Sequence, residues 1–133
     1  MSLPGHRNIV AWQRGMDLAA AAYTFGKSLR SLKHSELASQ LARAAVSIPA
    51  NISEGRGRST PGEFSRYLNV AMGSLREVET ILEIADRVGA GKRGTIVELQ
   101  KQADEVGKVL FGLQRAAAKS KTEARKPRPT TDS

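Results

Sequence analysis

Few residues of this chain could do chemistry, and their spacing argues against most of it. His6 and His34 are the two histidines. Neither belongs to a Glu-x-x-His or His-x-x-x-His spacing, so a helix-borne di-metal site lacks its ligands. There are no cysteines, which removes thiolate metal sites, disulfides and thiol nucleophiles. Ser47, Ser53 and Ser59 sit in no nucleophile-elbow pattern and have no histidine near them in sequence. Glu79 and Glu83 are one helical turn apart with Arg76 and Arg87 flanking, which is the spacing of a solvated ion-pair face rather than of an acid/base pair. Gly55-Arg56-Gly57-Arg58 looks like a phosphate loop but lacks the Walker spacing and its Lys-Ser/Thr end. Its glycines read more simply as a helix stop. The expectation is a non-enzymatic protein without a metal or cofactor.

Charge is the stronger signal. The 133 residues carry 21 Lys and Arg against 13 Asp and Glu, a formal net charge of +8. Arg43, Arg56, Arg58 and Arg66 form a candidate basic rim, since an arginine fork donates two hydrogen bonds to one phosphate. A helix start near Thr60 would add free backbone donors beside them. The alternative is an ordinary solvated face. At the C-terminus, Lys119, Lys121, Arg125, Lys126 and Arg128 face only Glu123 and Asp132. With no large apolar residue there, and with Pro127 and Pro129 breaking any helix, residues 119–133 read as a disordered basic tail.

Four helices must position these residues. The first covers about residues 12–32: Leu18, Ala22, Phe25, Leu29 and Leu32 make one stripe, and Trp12, Met16, Ala19 and Tyr23 a second. The next covers 36–57 through Leu37, Leu41, Ala45, Ile48 and Ile52, with Pro49 expected to kink it rather than end it. Pro49 leaves the Ala45 carbonyl without its donor, and Asn51 and Ser53 are placed to satisfy a freed carbonyl or to bridge to a neighbouring helix. The third opens on Thr60-Pro61-Gly62-Glu63, a capping box with proline at the first position. It continues through Phe64, Leu68, Ala71, Leu75, Val78, Leu82 and Ala85 to about Val88. The last opens near a second capping box at Thr95 and runs from Ile96 to Ala117. Short loops make neighbours antiparallel. The expected organisation is an N-terminal arm (residues 1–11), an all-α up-and-down antiparallel four-helix bundle (12–118) and the tail (119–133).

Thirteen of the 25 residues from Phe64 to Val88 are apolar. One bundle core needs about three in seven. The surplus stripe, Tyr67, Val70, Ser74, Ile81, Ile84 and Val88, is a candidate oligomer interface, while Gly73 and Ser74 would let another backbone approach. No stretch nears the roughly 20 apolar residues of a membrane span. The first twenty residues lack a signal-peptide pattern, so a cytoplasmic location is expected.

The run from Ser47 to Arg58, Ser-Ile-Pro-Ala-Asn-Ile-Ser-Glu-Gly-Arg-Gly-Arg, resembles the signature of the four-helix bundle proteins related to the 23S rRNA intervening-sequence protein. The likeness extends upstream through Leu41-Ala42-Arg43-Ala44-Ala45-Val46. It continues downstream through Glu63-Phe64, Tyr67-Leu68 and Ala71-Met72-Gly73-Ser74-Leu75-Arg76-Glu77. The opening Val10-Ala11-Trp12-Gln13-Arg14-Gly15-Met16-Asp17-Leu18 is similar as well, so the resemblance covers about residues 8–115. It implies an up-and-down bundle that assembles as a ring of five around a central channel. One branch of the family is encoded within insertions in ribosomal RNA genes. A related branch serves as accessory protein to the reverse transcriptase of diversity-generating retroelements, where it binds nucleic acid and the polymerase.

Two functions follow as expectations. One is a nucleic-acid-associated adaptor that contacts RNA or DNA through its backbone. It would be sequence-tolerant, because the chain offers neither a recognition helix nor the aromatic platforms typical of single-strand binders. The other is a structural or protein-interaction ring with incidental basic charge. The expected partner in either case is the chain itself, as a homo-oligomer and, by the resemblance alone, a pentamer.

Overall fold

The computed structural model describes residues 5–125. A short 3-10 turn, His6–Asn8, leads into four helices: α1 (Val10–Ser31), α2 (Ser35–Arg56), α3 (Pro61–Arg87) and α4 (Arg93–Arg125). Among the described residues there is no strand, and no helix is long and apolar enough to cross a membrane.

Each helix packs on its neighbours in sequence, and α1 closes the bundle against α4 through its least extensive contact. Small residues set the α1–α2 approach: a Cβ on Gly15 would stand 3.3 Å from Ile48 Cγ2 and 3.5 Å from Pro49 Cδ, and one on Gly26 would stand 3.7 Å from the Ala38 Cβ. These pairs make α1 and α2 antiparallel. Ser74 Oγ donates to Ser47 Oγ at 2.8 Å between α2 and α3, and Gln114 Nε2 donates to Asn69 Oδ1 at 3.0 Å between α4 and α3. Arg14 reaches Glu105 at 3.3 Å across the α1–α4 seam. The interior is aliphatic, with Leu18, Leu29, Leu41, Ile48, Ile52, Leu68, Leu75, Leu82, Ile96 and Leu110 all fully buried.

The turns are built from the backbone. His34 N–H donates to Leu29 O at 2.7 Å and Lys33 N–H to Arg30 O at 2.9 Å, a Schellman closure with Lys33 at φ +67°. α3 ends the same way, on Ala90 N–H to Ala85 O at 2.8 Å, with Gly89 at φ +71°. Gly91, at φ +83°, has a second reason to be glycine, because a Cβ there would come within 2.6 Å of the Phe25 ring.

Several expected boundaries move. α1 stops at Ser31, so Leu32 leaves the core stripe and is 53% exposed. Thr60 does cap α3, accepting from Glu63 N–H at 3.2 Å, but the Glu63 carboxylate turns to Arg66 instead of closing the box. α4 begins at Arg93, which puts Thr95 inside its first turn and rules it out as a cap. α4 also passes its expected end at Ala117 and runs to Arg125, so residues 119–125 are helix here rather than tail. The physical reason is local: Ala116, Ala117, Ala118 and Lys119 are good helix formers, and no proline intervenes before Pro127. Residues 126–133 lie outside the described residues. α2 is helical on both sides of Pro49, which is buried. Asn51 Nδ2 donates to Ser47 O at 2.7 Å and to Ser47 Oγ at 2.8 Å, so it serves the Ser47 carbonyl and not that of Ala45.

Two glycines make opposite predictions. A Cβ on Gly55 would meet Tyr67 Cβ at 2.6 Å and Phe64 Cδ1 at 3.1 Å. Gly55→Ala should therefore lose about 1–3 kcal/mol in urea denaturation through overpacking. Gly73 has nothing within 4 Å of such an atom. Gly73→Ala should gain about 0.5–1 kcal/mol by helix propensity alone. Equal effects at the two positions would refute the α2–α3 packing described here.

Candidate functional site

The bundle topology brings the C-terminal end of α2, the N-terminal end of α3 and the far half of α4 to one end of the molecule. There Gly55 lies flush against Tyr67 and Phe64, which fixes the tyrosine beside the α2–α3 turn. Arg58 and Arg66 both stack on the Tyr67 ring, with guanidinium carbons 5.2 and 4.5 Å from its centroid. Arg58 also donates to the Tyr67 hydroxyl at 2.9 Å and pairs with Glu54. Arg66 pairs with Glu63 at 3.0 Å. Both guanidinium pKa values are raised, that of Arg58 chiefly by Tyr67 and then by Glu54, and that of Arg66 chiefly by its hydrogen bond to Glu63. These two arginines are solvated, yet each already has an acidic partner.

The rim expected from sequence is thus only partly assembled. Arg58 and Arg66 come together. Arg56 is half-buried in the last turn of α2. Arg43 is thirteen residues before Arg56 on the same helix, about 20 Å away along the axis. It lines a separate shallow groove between α2 and α3 with Gln40, Ser47, Ser74 and Glu77. Lys121 joins the cluster end, its Cε 4.0 Å from where a Gly62 Cβ would sit at the start of α3. Lys119 is exposed on α4. The Arg125 side chain, Lys126 and Arg128 lie outside the described residues.

A basic feature missed in sequence lies on α4. Lys101, Lys108, Arg115 and Lys119 are all exposed, and among the described residues none of them is in an ion pair. Their spacings of seven, seven and four residues put them on one face, a line of about 27 Å at 1.5 Å per residue. Phe111 interrupts the line at 56% exposure, with the Arg115 guanidinium 6.0 Å from its ring centroid. The heptad spacing of the basic residues was the available signal. It was hidden because α4 is most easily read for its apolar stripe.

The candidate interface stripe on α3 divides. Val70, Ile84 and Val88 are exposed at 44, 43 and 60%. Ser74 and Ile81 are buried within the chain, at 9 and 4%, and Tyr67 is held by the two arginines. Ser74 and Ile81 therefore do not belong to a free face: Ser74 is tied to Ser47, and Ile81 points into the core. Gly73 has open space around it within the chain. A further exposed apolar set, Met16 and Tyr23 on α1 and Val46 on α2, is uncovered at 45, 51 and 52%.

The remaining candidates are structural. Arg76 pairs with Glu79 at 2.8 Å and Arg87 with Glu83 at 3.0 Å, as an ion-pair face requires. His6 packs edge-on against Trp12 with centroids 5.1 Å apart. Among the described residues, no three His, Asp or Glu side chains gather as a metal site would need.

Residues 7–112 match the family model of the 23S rRNA-intervening sequence protein. A solved structure from Bacteroides thetaiotaomicron VPI-5482, a protein with unknown function from the S23 ribosomal protein family, superposes with a TM-score of 0.76 at 24% identity. The match covers 79% of this chain and 98% of that one, and it shows the fold alone. No curated protein matches the chain.

Proposed function

This chain belongs to the 23S rRNA-intervening sequence protein family, and from that premise we propose that it is a non-catalytic, sequence-tolerant adaptor that binds nucleic acid through the phosphate backbone. The observation that carries the reading is the unpaired basic line Lys101, Lys108, Arg115 and Lys119 on α4. Four cations share one helical face and none is in an ion pair among the described residues, so with Asp104 among them they present a net positive surface to an external polyanion. The α2–α3 arginines are supporting contacts in this reading, since Glu54 and Glu63 already offset part of their charge. Backbone contact carries no base information, which makes the binding sequence-tolerant. The adaptor acts in the cytoplasm.

Charge contacts of this kind are measured by salt. Neutralising a phosphate releases about 0.7 counterion on single strands and about 0.9 on duplex DNA. Replacing Lys101, Lys108 and Arg115 together with Gln should therefore reduce the slope of log affinity against log salt by about 2 on single strands or about 3 on duplex. Arg58→Gln with Arg66→Gln should change it less than that. A protein that binds neither RNA nor DNA at low salt ends the adaptor reading. One that binds with an unchanged slope after the α4 substitutions moves the contact elsewhere.

The same proposal includes self-assembly, with a ring of five as the expected form. The support is that the exposed apolar residues include Val70, Ile84 and Val88 along α3 and, elsewhere, Met16, Tyr23 and Val46 on α1 and α2. A ring closes through head-to-tail contacts, which need two different patches per subunit, whereas a two-fold dimer needs one. A bend of α2 at Pro49, where the Ala45 carbonyl loses its helical donor, belongs to this reading as a shape that the ring would use. If basic charge serves only that assembly, the chain is a structural ring instead. Light scattering separates these states. Ile84→Glu or Val46→Glu should lower the molecular mass toward the 14.3 kDa monomer with helicity retained. Ile81→Glu should instead lose the fold, because its carboxylate would be buried without a partner. A wild-type monomer at micromolar concentration would sink the ring.

A further inference from the structure

We propose that Phe111 is a stacking platform for an unpaired nucleobase, so that the α4 ridge takes single-stranded rather than duplex nucleic acid. The inference rests on the nucleic-acid reading above and names the strand state and the residue that selects it. Sequence alone suggested that aromatic platforms were lacking. In the folded chain, however, Phe111 is 56% exposed, while Phe25 is buried and Phe64 is partly buried against the core. A large apolar ring is left in water on the same ridge as four unpaired cations, and that pairing of features is what a single strand uses.

The local geometry suits a base. Lys108 is three residues before Phe111 and Arg115 four after it, so both flank the ring on one face of α4. The Arg115 guanidinium is 6.0 Å from the ring centroid, close enough to cap a stack by its own cation–π contact. Beside the ring, Ala103 and Gly107 floor a shallow groove between α3 and α4 that Phe111 itself walls. Gly107 presents no side chain to this groove. Arg76, Glu79, Asp104 and Lys108 line the rest of the groove, and Glu79 is already held by Arg76 at 2.8 Å.

On a helical wheel Phe111 lies on the α3 side of the line of Lys101, Lys108, Arg115 and Lys119, with Asp104 between the ring and that line. A strand laid along α4 would therefore put its phosphates on the outer cations and tip one base inward over the ring. Duplex cannot use the platform, because its bases are stacked on one another and reaching one requires unstacking at a cost of a few kcal/mol. Stacking is tolerant of base identity, since every base has a π-face, which agrees with an adaptor that reads no sequence.

The test compares the full-length protein with Phe111→Ala, Phe111→Leu and Phe111→Trp on four probes at fixed salt: single-stranded RNA, single-stranded DNA, duplex DNA of equal length, and a single strand of abasic residues. Removing one base–aromatic stack should weaken single-strand binding by about 5- to 150-fold in Phe111→Ala, and similarly in Phe111→Leu, which keeps apolar bulk but no ring. Phe111→Trp should bind at least as well as the wild type. Duplex and abasic affinities, and the salt slope, should stay unchanged in all three variants. Equal losses on the RNA and DNA strands identify the base stack as the shared element, and a loss on only one of them identifies which strand the ridge takes. The inference is overturned if Phe111→Ala binds single strands like the wild type, or if it loses abasic and duplex binding in equal measure. It is also overturned if the variant dissociates the oligomer while single-strand affinity holds, which would make Phe111 an assembly contact. Absence of all nucleic-acid binding in the wild type refutes the adaptor reading itself, whereas binding that ignores Phe111 refutes only the stacking platform.

Discussion

α2 and α3 meet at Gly55 with no room for a methyl group, and much of one end of the bundle follows from that approach. A Cβ there would stand 2.6 Å from Tyr67 Cβ. The contact presses the tyrosine against the helix turn, where its ring becomes the surface on which Arg58 and Arg66 lie. Two turns away along α2, the hydrogen bond from Ser74 to Ser47 holds the same register with polar atoms. The hydroxyl of Ser47 accepts from both Ser74 and Asn51, so the polar groups at this seam satisfy one another instead of costing a desolvated donor. A slip of α3 by one residue would break this bond and drive the Tyr67 backbone into the Gly55 position.

That register decides where charge is available. Arg58 and Arg66 are drawn onto one ring and onto Glu54 and Glu63, so the most arginine-rich stretch of the sequence is partly neutralised by its own neighbours. Exposed pairs of this sort contribute about 0–1 kcal/mol each to stability. They still lower the local potential that a phosphate would meet. α4 has fewer such constraints. Its inner face is fixed by Ile96, Leu99, Ala103, Val106 and Leu110 in the core, and its outer face has no neighbouring helix. Lys101, Lys108 and Arg115 repeat at the heptad interval of that core stripe, so they fall on the side that packing leaves free.

The helices were legible because apolar spacing is a property of each helix by itself. Thr60 capped α3, and the core stripes of α2, α3 and α4 fell where the period put them. Ends were harder. Leu32 continues the spacing of α1 but falls just past a Schellman turn at Lys33, a residue whose positive φ no pattern announces. Ala116 to Lys119 are good helix formers with no stop signal, but the apolar stripe ends at Ala117, so periodicity alone did not carry α4 on to Arg125. The site was legible in residue type but not in pairing. Ile81 and Ile84 are three residues apart in α3 and look alike in sequence, yet they are 4 and 43% exposed, because the bundle closes over one and leaves the other in water. Glu54 reads in sequence as a partner for Arg58 at i+4 or for Arg43, and the fold of the α2–α3 turn settles it on Arg58.

Exposure of Phe111 and burial of Gly55 are two sides of one distribution of small residues. Where helices must touch, glycine and alanine remove bulk: Gly15 and Gly26 against α2, Gly55 against α3, and Gly107 facing Leu75 at 3.4 Å. Close packing at the seams narrows the bundle. A narrow bundle with a largely alanine and leucine interior has little space for aromatic rings, so a ring placed outside the stripe must stay in water. Such a ring on an all-acidic or neutral face would be a liability for association. Here Lys108 and Arg115 flank it, and the excess of positive charge on this face opposes stacking of one ridge on another. In the proposed nucleic-acid reading the same charges attract the strand, and the ring adds an apolar contact that charge alone does not supply.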